Sequence, residues 1–225
     1  QDCGEKLLGG ENNILVTDDL NLALESADVV IDFSTPDTSL ECLKICTQNN
    51  TAHVIGTTGF DSRQESKITG YAERVVVVKA GNMSLGINVL TSLVERISSS
   101  LDLDFDTEIL EMHHRNKVDA PSGTALALGK TVSLARKENF DKVSKLSREG
   151  KVGERKKDEI GFATLRGGSV VGDHTIILAH DDERIELTHK ASNRKIYANG
   201  AVKAAIWCAS QKTLACLTLL RFEFK

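Results

Sequence analysis

Short apolar runs recur through the first eighty residues at the spacing of buried strands: Ala27 to Phe33, Ala52 to Ile55 and Val75 to Val78. Between them lie helical stretches, with Thr35-Pro36 placed to cap a helix running through Cys46. Strands alternating with helices predict a doubly wound parallel sheet. A long helix, Ser84 to Ser99, leads away from it, and the grammar then changes. Asp104 to Met112, Gly161 to Arg166, Val170 to Ala179 and Arg184 to Lys190 alternate with period two, and the later ones are joined by short turns. These predict a mixed, open sheet with a helix over Ser122–Glu138 packed on it. A tail helix from about Asn199 is expected to return to the first domain. The predicted class is α/β, a Rossmann-like sheet plus an α+β domain, divided as 1–84 completed by 195–225, and 85–194.

Composition narrows the partners. With 28 basic against 32 acidic residues in 225, the chain is mildly acidic, which argues against nucleic acid. The one basic stretch, Lys151 to Lys157, contains Glu154 and reads as a solvated loop. No apolar run approaches the ~20 residues of a membrane helix, so no membrane partner is expected. The five scattered cysteines form no C-x-x-C pair and suit a reducing, cytoplasmic setting, and Cys42 and Cys46 read as one helix face.

The chemistry concentrates in Glu-Met-His-His-Arg-Asn-Lys-Val-Asp-Ala-Pro-Ser-Gly-Thr-Ala, residues 111–125. Leu103 to Met112 is extended, so His113 and His114 fall at its C-terminal end, where α/β proteins keep ligands. An imidazole there can give or take a proton near neutral pH. Lys117 can protonate a developing carbanion or hold a substrate carboxylate. Pro121 stands where a helix would start, and Ser122, Gly123 and Thr124 would present first-turn N–H groups to an anion. A zinc site is disfavoured, because adjacent histidines point to opposite sides of a strand and no further ligands follow at zinc spacing. The run Gly123 to Thr131 has five residues between its glycines where a phosphate loop needs four, and its Ala/Leu filling suggests a buried helix. Gly56-Thr-Thr-Gly59 and Ala80-Gly-Asn82 follow strands and fall on one sheet edge, where a cofactor would be held.

Residues 111–125 resemble the signature of the dihydrodipicolinate reductase family, nicotinamide-dependent enzymes of the diaminopimelate route to lysine. The likeness extends over Val30–Pro36, Val54–Phe60, Ala80–Asn88, Gly161–Gly168, Gly172–His174 and His189–Arg194 to Gly200-Ala201, about nine tenths of the chain. It implies that His113 is a proton donor or acceptor, that Lys117 is a proton donor, and that His114, Gly123 and Thr124 bind substrate. Ser122 and Arg194 are further candidates for holding a carboxylate. The resemblance places Gly56, Thr57, Thr58, Ala80, Gly81, Asn82 and Met83 along the nicotinamide half of NADH or NADPH. It also implies a dicarboxylate substrate and a homotetramer, consistent with an open sheet face inviting association.

Two departures shape the expectations. Residues 1–13 show no strand, Gly-rich turn and helix, and no G-x-G-x-x-G occurs, so the first βα unit is expected to be missing, along with the residue that would select between NADH and NADPH. Lys212 to Lys225 matches the family poorly. The alternative reading is a non-catalytic dinucleotide-binding or assembly homologue. Another sugar or amino-acid dehydrogenase of this architecture would lack the adjacent histidines before Lys117.

Overall fold

The computed structural model describes residues 2–211 and 216–218. The chain divides into two compact units, 1–81 with 201–225, and 82–200. Residues 82–84 and 195–200 therefore group with the second unit.

The first unit opens with two short capped helices. In α1 (Cys3–Leu8) the Asp2 carboxylate accepts from the N–H groups of Gly4 and Glu5, and in α2 (Leu20–Leu24) Asp19 does the same for Asn21 and Leu22. Then follow β1 (Val29–Asp32), α3 (Pro36–Asn49), β2 (Ala52–Ile55), α4 (Ser62–Ala72) and β3 (Val77–Lys79). The predicted strand from Ala27 begins two residues later, because Ala27 donates to the Leu24 carbonyl in the turn leaving α2. Helix α3 starts where Thr35-Pro36 predicts. Helix α4 carries a reciprocal Asp61–Gln64 capping box that the sequence reading passed over. All four residues of β2 are buried, as the central position of a covered sheet requires. Leu43, Ile55, Ile68, Val75 and Val77 form the core between these helices and strands.

In the second unit, α5 (Leu85–Ser100) precedes β4 (Asp106–His113), α6 (Gly123–Ala135), α7 (Phe140–Val143), β5 (Ser144–Lys145), β6 (Ile160–Arg166), β7 (Gly172–Ala179) and β8 (Arg184–Ala191). The sheet order is β5-β6-β4-β7-β8, with β4 parallel to β6 and antiparallel to β7, so the sheet is mixed and open as expected. Alternate residues of β4 and β7 are buried. Ile109, Ile176 and Leu178 meet Ala125, Leu128 and Val132 of α6 and Leu90 and Val94 of α5 in one core. Helix α6 stops at Ala135, three residues short of the expected Glu138, because Lys137 adopts φ 60° and Glu138 donates to the Ser133 carbonyl.

The last helix, α8 (Lys195–Ser210), begins before the predicted Asn199 because the Asn193 side chain accepts from the Lys195 N–H. From Ala201 onward it belongs to the first unit, where Ala204 and Cys208 are buried. Strand β9 (Cys216–Thr218) pairs parallel with β3 and completes the order β1-β2-β3-β9. The remainder of the Lys212–Lys225 tail lies outside the described residues.

Candidate active site

Strand β4 turns from apolar to polar along its buried face: Ile109 is followed at the next two inward positions by Glu111 and His113. Period two places all three on the side covered by α6. A carboxylate there needs full satisfaction, since an unpaired buried charge is expensive. Glu111, 1 % exposed, obtains it from four directions. Its Oε2 meets His113 Nδ1 at 2.6 Å and accepts from Arg166 Nη1 at 2.8 Å. Its Oε1 accepts from Arg166 Nη2 at 3.0 Å, from the Ser122 N–H at 3.1 Å and from Thr164 Oγ1 at 3.2 Å. Burial pushes the carboxyl pKa up, but Arg166, His113 and the Ser122 N–H outweigh it, and the net shift is down. Glu111 is an anion in the folded protein.

The imidazole of His174 on β7 packs edge-on against His113, ring centroids 5.1 Å apart, and shares a 3.1 Å hydrogen bond with Ser122 Oγ. Ser122 caps α6, its hydroxyl accepting from the Ala125 N–H. Burial first, and then the neighbouring His113, push the His174 pKa down to about 4. His174 is thus neutral when folded, whereas the unfolded chain takes up its proton below about 6.5. The unfolded state then binds more protons, so stability falls as pH drops from about 6.5 to about 4. His189, also shifted down by burial, adds in the same direction. Denaturation midpoints measured at pH 7 and pH 5 should differ less in His174→Gln than in wild type; equal differences would show that His174 is not the titrating group.

Lys117 sits in the turn after β4, where its N–H donates to the His114 carbonyl, and its Nζ donates to Asp119 Oδ1 at 2.7 Å. The Asp119 carbonyl in turn accepts from Arg166 Nη2 at 2.6 Å. His114 points elsewhere. It meets Arg194 Nη2 at 3.3 Å, and the two line an open depression of about 610 Å³ with Arg115, Asn116, Gly168 and Ser169. Gly123 is exposed with open space where a side chain would project, leaving the first turn of α6 accessible, while Thr124 Oγ1 accepts from Asn82 Nδ2 at 3.1 Å.

The predicted cofactor residues fall in two places. Gly56, Thr57 and Thr58 follow β2, and Ala80 and Gly81 follow β3, both at C-terminal ends of the parallel sheet. Gly56 donates to the Asp32 carbonyl, Ala80 to the Ile55 carbonyl, and a side chain on Gly81 would meet Thr58 Cγ2 at 3.7 Å. Thr57 Oγ1 accepts from the Ser34 N–H at 2.9 Å and sits 3.3 Å from Asp32 Oδ1. Burial raises the Asp32 pKa, but hydrogen bonds from His53 and Ser34 reverse this and bring it down to about 2. Asn82 and Met83 group with the second unit, where Asn82 Oδ1 accepts from the Ser84 N–H and Met83 is buried. Among the described residues, no cluster of three or more His, Cys, Asp or Glu is arranged for a metal ion, and no helix is long and apolar enough to cross a membrane.

Two family models cover the chain: dihydrodipicolinate reductase, N-terminus, over residues 1–83, and dihydrodipicolinate reductase, C-terminus, over residues 86–220. The chain belongs to the dihydrodipicolinate reductase family. It is 49 % identical over 201 residues to the 4-hydroxy-tetrahydrodipicolinate reductase of Rhodopseudomonas palustris (strain TIE-1), covering 89 % of this chain and 74 % of that one. It is 46 % identical over 214 residues to the enzyme of that name from Ralstonia pickettii (strain 12J), covering 95 % and 81 %. A dipicolinate-bound dihydrodipicolinate reductase from Paenisporosarcina sp. TG-14 superposes with a TM-score of 0.71 at 25 % identity, covering 91 % of this chain and 76 % of that one. Membership makes the chain an oxidoreductase by family. Sequence reasoning left Glu111, Arg166, His174 and Asp119 without roles. The alternation that put His113 inward also puts Glu111 inward, and a carboxylate at a core-facing position was the available signal.

Proposed function

We propose that the protein reduces 4-hydroxy-tetrahydrodipicolinate to tetrahydrodipicolinate with NADH or NADPH, in diaminopimelate and lysine synthesis. The observation carrying this reading is the single strand end that gathers His113, Lys117 and the open first turn of α6 in a chain matched over both halves by the family. The overall change adds a hydride and a proton and loses water. When bound, the dinucleotide supplies the hydride to a ring carbon of the cyclic, imine-containing dicarboxylate. The loops Gly56–Thr58 and Ala80–Gly81 fit its nicotinamide half, because both stand at the carboxyl edge of a parallel sheet, Gly81 lies close to Thr58 with no side chain of its own, and the buried Asp32 carboxylate anchors Thr57. Asn82 and Met83 extend that segment.

Lys117 supplies the one net proton, to the developing carbanion. His113 gives or takes the proton that passes from ring carbon to the departing hydroxyl as water is lost, so that it ends unchanged. The N–H groups of Gly123 and Thr124 hold a substrate carboxylate at the positive end of the α6 dipole. Arg194 and His114, already within hydrogen-bond distance of each other, supply charge and a second contact. The dipicolinate in the Paenisporosarcina enzyme supports a dicarboxylate site. Soaked pyridine-2,6-dicarboxylate is expected against the first turn of α6, and finding it elsewhere would remove the carboxylate assignment. Substrate-dependent oxidation of NADH or NADPH by the full-length protein tests the reading as a whole; dinucleotide binding without turnover would favour the non-catalytic alternative. A homotetramer and a cytoplasmic setting belong to the same reading, supported by the open sheet and by the free thiols of Cys3, Cys42, Cys46 and Cys208.

A further inference from the structure

We propose that Glu111 is the positioning residue of this site: one buried carboxylate fixes the tautomer of His113, the first turn of α6 and, through Arg166, the loop that carries Lys117. The inference rests on the proton-transfer roles proposed for His113 and Lys117.

The geometry leaves Glu111 little other use. At 2.6 Å from a carboxylate oxygen, His113 Nδ1 must carry a hydrogen, which leaves Nε2 as the ring nitrogen for proton exchange. The other oxygen takes the Ser122 N–H, so the turn that would hold the substrate carboxylate is set from the same atom group as the imidazole. Arg166 spans both oxygens in the bidentate manner that fixes orientation as well as charge, and its Nη2 also reaches the Asp119 carbonyl. Asp119 holds Lys117 Nζ at 2.7 Å. The chain of contacts therefore runs from Lys117 through Asp119, Arg166 and Glu111 to His113, and every link is 3.0 Å or shorter. Among the described residues, the charged and titratable groups against His113 are Glu111 on its own strand, Arg166, its register partner on β6, and His174 from β7. His174 is neutral, so Glu111 is the anion that balances Arg166 and an imidazolium.

Glu111→Gln keeps the shape and reverses this arrangement. An amide NH2 facing Nδ1 asks that nitrogen to accept, which moves the imidazole hydrogen to Nε2. The expected result, in full-length protein, is a kcat lower by ~10²–10³-fold, with KM for the dinucleotide changed less than about twofold. The unbalanced Arg166 disfavours imidazolium, so the limb of the pH–kcat/KM profile that depends on His113 moves to lower pH. Glu111→Asp keeps the charge and should return that limb toward wild type with partial recovery of kcat. A role confined to packing would leave the limb in place.

His113→Asn separates this proposal from the reading beneath it. If His113→Asn is as active as wild type, the role of His113 fails whatever Glu111 does. If His113→Asn is inactive and Glu111→Gln turns over within about threefold of wild type with an unmoved limb, the positioning role fails alone. In the His113→Asn background, Glu111→Gln should cost less than it does alone, because the part of its effect that acts through the imidazole is already gone while its hold on Ser122 and Arg166 remains to be lost. A tautomer measurement guards against a variant that does not fold. Proton–nitrogen correlation spectra of wild-type protein at neutral pH, with His113 assigned by its loss in His113→Asn, should show hydrogen on Nδ1. A neutral ring carrying hydrogen on Nε2 alone would overturn the proposal.

Discussion

Replacing Lys117 with alanine is expected to lower kcat by ~10²–10⁴-fold, the usual cost of losing a general acid, while leaving dinucleotide affinity near wild type. A proton donor acts on the transition state, whereas the dinucleotide is assigned to loops after β2 and β3. In the structure Lys117 is partly shielded and tied to Asp119, so its ammonium is held in place beside β4 instead of ranging through solvent. KM for the dicarboxylate rises too if Lys117 also touches a carboxylate. Lys130 is the control. It projects from the exposed side of α6 over the Phe140 ring at 5.8 Å, and its truncation removes a cation–π contact of about 0.5–1 kcal/mol without touching the site. Steady-state kinetics on both variants of the full-length protein decide the matter. Turnover by Lys117→Ala within about threefold of wild type would transfer the proton to His113 or water and end the assignment.

Periodicity made β4 legible in the sequence because a half-buried strand writes its burial in alternate letters, and the same alternation located His113 at its inner end. The neighbours of β4 were not legible. Nothing in one sequence says that β6 joins it in parallel and β7 in antiparallel, and it is this order that delivers Arg166 and His174 to the same histidine. The phosphate-loop-like run from Gly123 resolves as packing: a side chain on Gly129 would come within 2.5 Å of the Phe162 ring and 3.0 Å of Phe140, two aromatics set edge to face against α6. The segment Ala80-Gly-Asn-Met83 reads as one loop in the sequence, yet its last two residues group with the other unit, since the Asn82 side chain finds its partners at Ser84 and Thr124. Tertiary hydrogen bonds of that kind carry no local signature.

Gly200→Ala is expected to cost stability heavily although alanine is the better helix former. Inside a helix the exchange ordinarily gains up to about 1 kcal/mol, and Gly70 on α4, exposed and with open space around it, should show that gain as a higher Tm. At Gly200 on α8 a side-chain carbon would stand 1.7 Å from the Met83 carbonyl oxygen and 2.9 Å from its carbon. The obstacle is backbone, which cannot rotate aside, so α8 or the Asn82–Ser84 segment must move. Overpacking of this kind costs about 3 kcal/mol, equivalent to a Tm lower by ~6–12 °C for a protein of this size. Displacing Met83 also pulls Asn82 from Thr124 at the first turn of α6, so KM for the dicarboxylate should rise along with the loss of stability. Calorimetry on both glycine variants, with KM measured below the transition, reads the two effects separately. A Gly200→Ala protein that melts at or above wild type would show that α8 does not press on Met83 as closely as the structure has it.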